Sequence, residues 1–250
     1  MNREELKEYL GVTAYSMGQV EKDYLQHIVL GALSRRLGGA LVFKGGTALQ
    51  KLGVIKRFSG DLDFTAREPV SYPQLEEASV SALKAFNFPP VVDGPVDDER
   101  TIGFRLKVQG PLYRGPKTHC PIDLEVSRRE EVARQPARHE IAPPYRDVLP
   151  YFVLTMDLEE MLAEKVRALA TRQKARDLYD LAQLARRDLV LDEGLVERKL
   201  AYYGMPLDRA LVLERSRQLE AGWDAELRDL VEVVPPFREA MAMLERLLSG

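Results

Sequence analysis

The chain has 250 residues, of which 45% are hydrophobic and 30% charged, and a formal net charge of −3. This is the composition of an ordinary globular protein with room for one large domain or two small ones, and it excludes a disordered, fibrous or uniformly basic nucleic-acid-coating protein. No apolar run approaches the roughly 20 residues that span a bilayer, and Cys120, the only cysteine, rules out an intrachain disulfide and a cysteine metal cluster.

The start, MNREELKEYLGV, is mixed in charge and lacks the apolar stretch of a signal peptide, so a reducing, cytoplasmic location is the expectation. Residues 16–37 read as a helix capped by Ser16, with Val20, Tyr24, Leu25, Ile28, Leu33 and Leu37 near helical spacing. Leu41 to Phe43 reads as a short buried strand, Thr47 to Leu52 as a helical turn, and Asp61 to Thr65 as a second strand. A helix is predicted over 72–86. The following NFPPVVDGPVDDER, rich in Pro, Gly and Asp, reads as a loop. Thr101 to Val108 and Ile122 to Val126 alternate as strands do, joined by GPLYRGPKTH as a loop. Residues 134–156 carry four prolines and are expected to wrap the surface. Beyond Asp157 the pattern is helical, with helices predicted at 157–171, 175–187, 193–202, 207–220 and 236–248. The fold class is therefore α/β (α+β): a small mixed sheet with helices in residues 1–150, then a helical lobe in 151–250.

The chemistry concentrates in FKGGTALQKLGVIKRFSGDLDFT, residues 43–65. Alternate side chains of a strand share a face, so Asp61 and Asp63 point one way while Leu62 and Phe64 point to the core. Such a pair can hold Mg²⁺, a hard cation that takes carboxylate and phosphate oxygens. Asp-x-Asp alone also fits a solvated strand end. Asp123 and Glu125 form a second alternating acidic pair, and either can complete a metal site if the two strands are neighbours. Gly45, Gly46 and Thr47 form a turn opening a helix, where backbone N–H groups can meet phosphate; a plain tight turn is the alternative. Lys44 precedes this turn and fits a surface position equally well.

Two more residues stand out downstream. Lys165 falls in the middle of the apolar stripe Leu158, Met161, Leu162, Val166 and Leu169. A lysine there is costly to bury unless its charge meets an anion, such as a triphosphate or a buried acid, or unless it snorkels at the rim. Asp177 opens the next helix, where it can act as a cap or orient Lys165. Between Lys165 and Arg187 lie seven basic and two acidic residues, either a solvated face or a patch for an RNA backbone. His27, His119 and His139 have no metal-ligand spacing. Trp223 is expected to pack in the helical part. Tyr202 and Tyr203 can stack on bases, but packing is the simpler expectation.

Taken together, FKGGTALQKLGVIKRFSGDLDF, EVSRRE and MLAEKVRALATRQKARDLYDL resemble, in order and spacing, the motifs of the AbiEii/MenT-type nucleotidyltransferase toxins. The resemblance implies a DNA-polymerase-β-like nucleotidyltransferase core with a helical C-terminal lobe. It further implies that Gly45, Gly46, Thr47 and Lys165 bind the nucleotide. Asp61 and Asp63 would ligate Mg²⁺ with Glu125 (or Asp123), and Asp177 would be an essential acid. The chain departs from the pattern in having Thr47 for serine, and Glu125 where relatives carry Asp. The expected activity is metal-dependent transfer of NMP from an NTP to an RNA hydroxyl, with tRNA 3′ ends the foremost acceptor, by the toxin of a toxin–antitoxin system paired with a cognate antitoxin. A protein or small-molecule acceptor, or a non-catalytic nucleotide- or partner-binding module, are the alternatives.

Overall fold

Four consecutive buried residues, Leu41–Lys44, make the strand β1 that anchors the sheet. The computed structural model describes residues 1–187 and 189–249. The chain forms two compact units, which do not follow it in simple order. The first comprises Met1–Ala48, Gly60–Val132 and Pro136–Thr155; the second comprises Leu49–Ser59, Ala133–Gln135 and Met156–Gly250.

In the first unit, the helices α1 (Arg3–Lys7) and α2 (Leu10–Thr13) lead into the long α3 (Met17–Leu37). Ser16 caps α3 by accepting from the Gln19 N–H, and the Gln19 side chain answers with the reciprocal bond of a capping box. After β1 come α4 (Gly45–Lys51), β2 (Asp61–Ala66), α5 (Tyr72–Ala85), β3 (Pro90–Asp97), β4 (Thr101–Val108), β5 (Cys120–Ser127), β6 (Ala137–Ile141) and β7 (Tyr151–Thr155). The seven strands form one mixed sheet in the order β3-β4-β5-β2-β1-β7-β6. β2 runs antiparallel to β1 and parallel to β5.

Two expectations are corrected. The stretch from 87 to 100 is not a loop, because Pro90–Asp97 pairs with β4 as an edge strand. Pro90 is its first residue, and the register shifts between Asp93 and Val96, around Gly94 at φ +56°. An edge strand with a bulge tolerates the proline and glycine that would break a central one. Residues 134–156 likewise do not simply wrap the surface: they contain β6 and β7, with β7 parallel to β1 at Phe43 and Thr155. The first unit accordingly runs past residue 150.

One face of the sheet is apolar and packs under α3 and α5. Leu62, Phe64, Ile122, Leu124 and Val126 all lie within it, and Tyr72 of α5 meets Phe104 edge-on. Each such side chain contributes about 1.5–3 kcal/mol on burial, so this layer can carry an opposite face whose chemistry does not favour folding.

The second unit holds α6 (Leu158–Thr171), α7 (Ala175–Ala185), α8 (Glu193–Ala201), α9 (Arg209–Arg217), α10 (Trp223–Leu227) and α11 (Phe237–Ser249). Asp157 caps α6 by accepting from the N–H groups of Glu159 and Glu160. Trp223 is buried against Phe237 and donates from its indole N–H to the Pro235 carbonyl at 2.8 Å. No helix of the described residues is long and apolar enough to cross a membrane.

Candidate active site

The register of β2 and β5 decides what the sheet's open face carries. Asp61 lies beside Asp123 and Asp63 beside Glu125. Neighbours across a ladder point the same way, so four carboxylates share the face opposite Leu62 and Leu124. On the other side of β5, Gly103 of β4 faces Glu125 and Arg105 faces Asp123. These residues line an open cleft of about 610 Å³, to which Asp93 of β3 adds a fifth carboxylate. A Cβ on Gly103 would meet only the Leu124 carbonyl, at 3.7 Å, so the glycine leaves room beside Glu125.

The two candidates for a third metal carboxylate have different surroundings. Asp123 accepts from Arg105 Nε at 2.6 Å. Glu125 forms no ion pair with the described residues and sits beside Asp63. The donors are all hard oxygens, which suits a divalent cation such as Mg²⁺. Among the described residues, no three His, Cys, Asp or Glu side chains are gathered closely enough to enclose an ion by themselves.

The glycine turn abuts this face. Gly45 has φ +75°, and a Cβ built on it would lie 2.6 Å from Asp63 Oδ2. Both the left-handed backbone and the absent side chain are therefore required there. Gly46 and Thr47 are buried at the start of α4. The Thr47 hydroxyl donates to the Asp61 backbone carbonyl at 2.5 Å, tying the start of α4 to the start of β2. Lys44 is not a surface lysine: it is buried, and its Nζ donates to Glu130 Oε2 at 2.8 Å. This pair joins the strand before the glycines to the end of the EVSRRE segment.

In the second unit, Lys165 and Asp177 meet. Lys165 Nζ lies 2.9 Å from Asp177 Oδ1 and 2.6 Å from Asp180 Oδ2. Asp177 also receives Arg172, through Nε at 2.8 Å and a terminal nitrogen at 3.0 Å. Asp180 receives Arg57 in a two-pronged pair at 2.6 and 2.7 Å, the geometry that best matches guanidinium to carboxylate. Arg57, Lys165, Asp177 and Asp180 are buried, whereas the Arg172 side chain is half exposed. Burial pushes the two carboxyls up, but Lys165 with Arg172 holds Asp177 well below the usual carboxylate range, and Lys165 with Arg57 holds Asp180 below it. For Lys165, burial acts to lower its affinity for a proton, and Asp180 and Asp177 outweigh it, so the ammonium is held above its ordinary value. Two carboxylates, Asp177 and Asp180, thus link the three cations Arg57, Lys165 and Arg172.

Arg57, Asp180, Glu130 and Arg105 were not singled out by motif reading. Arg57 follows Lys56 in a segment that looks like an ordinary basic loop, and only the fold brings it to Asp180. The basic stretch from Lys165 to Arg187 is largely committed. Beyond Lys165 and Arg172, Arg167 stacks over Tyr203, Arg186 pairs with Glu239, and Arg187 donates to the Gly53 carbonyl. The His27 ring is buried against Tyr151, and its Nδ1 lies 2.9 Å from the Tyr151 hydroxyl.

Comparison with known proteins follows the same lines. A family model described as "Nucleotidyl transferase AbiEii toxin, Type IV TA system" matches residues 29–243. Among solved structures, the nucleotidyltransferase toxin MenT4 (Rv2826c) of Mycobacterium tuberculosis H37Rv is similar, with a TM-score of 0.63 and 22% identity over 99% of this chain and 88% of that one. JHP933 of Helicobacter pylori is similar with a TM-score of 0.57 and 18% identity, covering 94% of this chain and 92% of that one. No curated protein matches.

Proposed function

The chain belongs to the AbiEii nucleotidyltransferase toxin family of type IV toxin–antitoxin systems, and from that premise we propose that it transfers NMP from an NTP to an RNA hydroxyl, foremost a tRNA 3′ end, with Mg²⁺ and release of pyrophosphate. One observation carries the proposal: the Gly45 turn is packed against Asp63, whose carboxylate lines a cleft with four others. A triphosphate alone would be repelled there, whereas a triphosphate carrying divalent cations would be held.

Asp61, Asp63 and Glu125 are the residues assigned to hold Mg²⁺, with Asp123 already committed to Arg105. Bound Mg²⁺ supplies neutralisation of phosphate charge and alignment of the attacking and leaving oxygens. The α4 start, with Gly45, Gly46 and Thr47, positions the phosphates. The acceptor oxygen bonds to the α-phosphorus as the bond to the pyrophosphate oxygen breaks, and the hydroxyl proton is released. Lys165, held charged between Asp177 and Asp180, is assigned to the triphosphate, and Asp177 orients it. Orientation of reactants, rather than covalent participation of the protein, supplies the rate.

The test is incubation of purified protein with each α-labelled NTP, Mg²⁺ and total tRNA. Label on RNA, lost on chelation of the metal, is expected. Label on protein or a small product with RNA unlabelled would move the acceptor. The absence of both label transfer and pyrophosphate release for all four NTPs would overturn the reading.

A further inference from the structure

β4 forms the far wall of the cleft. Its even positions, Ile102, Phe104, Leu106 and Val108, bury their side chains, so its odd positions face the carboxylates. On that face the ladder sets Gly103 beside Glu125 and Arg105 beside Asp123, and Asp93 of β3 lies beyond Arg105. Among the described residues, Arg105 is the only basic residue lining the cleft with the five carboxylates. Its side chain is half exposed. Nε donates to Asp123 at 2.6 Å, and the two terminal nitrogens make no hydrogen bond among the described residues. One bond thus steadies a planar fork whose remaining donors are unspent. Asp93, on its other side, is matched by Lys107 at 2.6 Å.

The sheet order decides what can reach this fork. Along β4-β5-β2-β1, Arg105 stands two strand spacings from Asp61, about 10 Å, and three from β1, whose end leads into the Gly45 turn. Asp61, Asp63, Asp123 and Glu125 lie on the two strands between. In the transfer proposed above, the leaving pyrophosphate lies toward the Gly45 turn. In-line displacement brings the attacking oxygen from the opposite side of the α-phosphorus, which is the side of β4. Gly103 keeps that approach open, because no side chain stands there beside Glu125.

We propose that Arg105 holds the acceptor RNA by the phosphodiester that precedes its terminal nucleotide, setting the terminal hydroxyl over the carboxylates of β2 and β5. This rests on the nucleotidyl-transfer reading for the class of acceptor and the direction of attack. The two unesterified oxygens of a phosphodiester match the two terminal nitrogens of a guanidinium. Without Arg105, the RNA end would meet five carboxylates and no basic side chain within the cleft.

The experiment uses a fluorescein-labelled tRNA acceptor-stem hairpin whose last 3′ linkage is either a phosphodiester or an uncharged methylphosphonate. Binding is read by anisotropy in Mg²⁺ without NTP. The wild type is expected to bind the charged end on the order of tenfold more tightly, as for a hydrogen-bonded charge pair. Arg105→Gln should bind both ends equally, and Arg105→Lys, a point charge without the fork, should keep about threefold. Asp123→Asn/Arg105→Gln, which strands no carboxylate, should lose the preference as well. A wild type without binding or without preference, or a preference kept in either Gln variant, would overturn the assignment. Transfer from α-labelled NTPs to the hairpin reports separately: the KM for the hairpin should rise about tenfold in Arg105→Gln while the KM for NTP holds. Transfer with a preference independent of Arg105 sinks the Arg105 contact alone. An Arg105-dependent preference with no transfer by the wild type from any NTP sinks the transfer reading alone.

Discussion

Asp63 is the residue on which the most arrangements converge: it faces Glu125 across the ladder, and the Gly45 backbone crowds its carboxylate. Asp63→Asn keeps size and shape but removes the charge that would hold a cation. Transfer should fall roughly thousandfold, about 4 kcal/mol of lost stabilisation, with the melting temperature held or raised. Activity within tenfold of wild type in a folded Asn variant would remove Asp63 from the metal site. Gly45 offers a sharper contrast because Gly53 shares its backbone. Both have positive φ, +75° and +66°, but a Cβ meets nothing within 4 Å at Gly53 and Asp63 Oδ2 at Gly45. Gly53→Ala should cost only the left-handed penalty of about 1–2 kcal/mol. Gly45→Ala should cost more and also abolish transfer. Equal activity losses, compared after correcting for the folded fraction, would show that the carboxylate contact is irrelevant.

At the scale of elements, α6 and α7 are held by charge as much as by apolar packing. Lys165 was legible because its position violates the helical stripe, and Asp177 because it opens the next helix. Arg57 and Asp180 were not, because ion pairing across 123 residues leaves no periodic trace. The converse also holds for α6: Glu160 lies on the face opposite Lys165, yet it is buried, accepting from Lys199 Nζ at 2.6 Å and from the N–H groups of Ala133 and Arg134. A polar helix face need not be a wet one. Two of the three missed strands failed for a related reason, since β3 and β6 lie at the two edges of the sheet, while β7 lies inside it, and at an edge alternation is weak and proline is allowed. Breaking the buried pair tests its weight. Arg57→Ala leaves Asp180 with Lys165 alone and is expected to destabilise by about 3–5 kcal/mol, read by urea unfolding. Arg57→Lys, a point charge without the fork, should recover only part of that. A loss under 1 kcal/mol in Arg57→Ala would show that the pair is incidental.

For the whole molecule, the buried acids set how stability varies with pH, and they act with opposite signs. Asp177 and Asp180 have folded values below the ordinary 3.8. Their contribution is complete above 3.8 and is lost as pH falls through the folded values. Protonation then leaves Lys165 and Arg57 buried with unmatched charge, so acid unfolding should be steep and set in below about pH 4. Glu21 is the reverse case: burial raises it above the ordinary 4.5, and the bond from the Leu112 N–H only partly offsets this. Its contribution is complete below 4.5 and is lost as pH rises through the folded value. Two variants separate these limbs in urea unfolding from pH 3 to 8. Asp180→Asn should be destabilised at neutral pH, with a flatter acid limb than wild type. Glu21→Gln keeps an acceptor for Leu112 and should match wild type near pH 4 while gaining stability relative to it as pH rises. A Glu21→Gln curve parallel to wild type at every pH would show that Glu21 is not held up by burial, and an unflattened acid limb in Asp180→Asn would assign acid unfolding to other carboxylates.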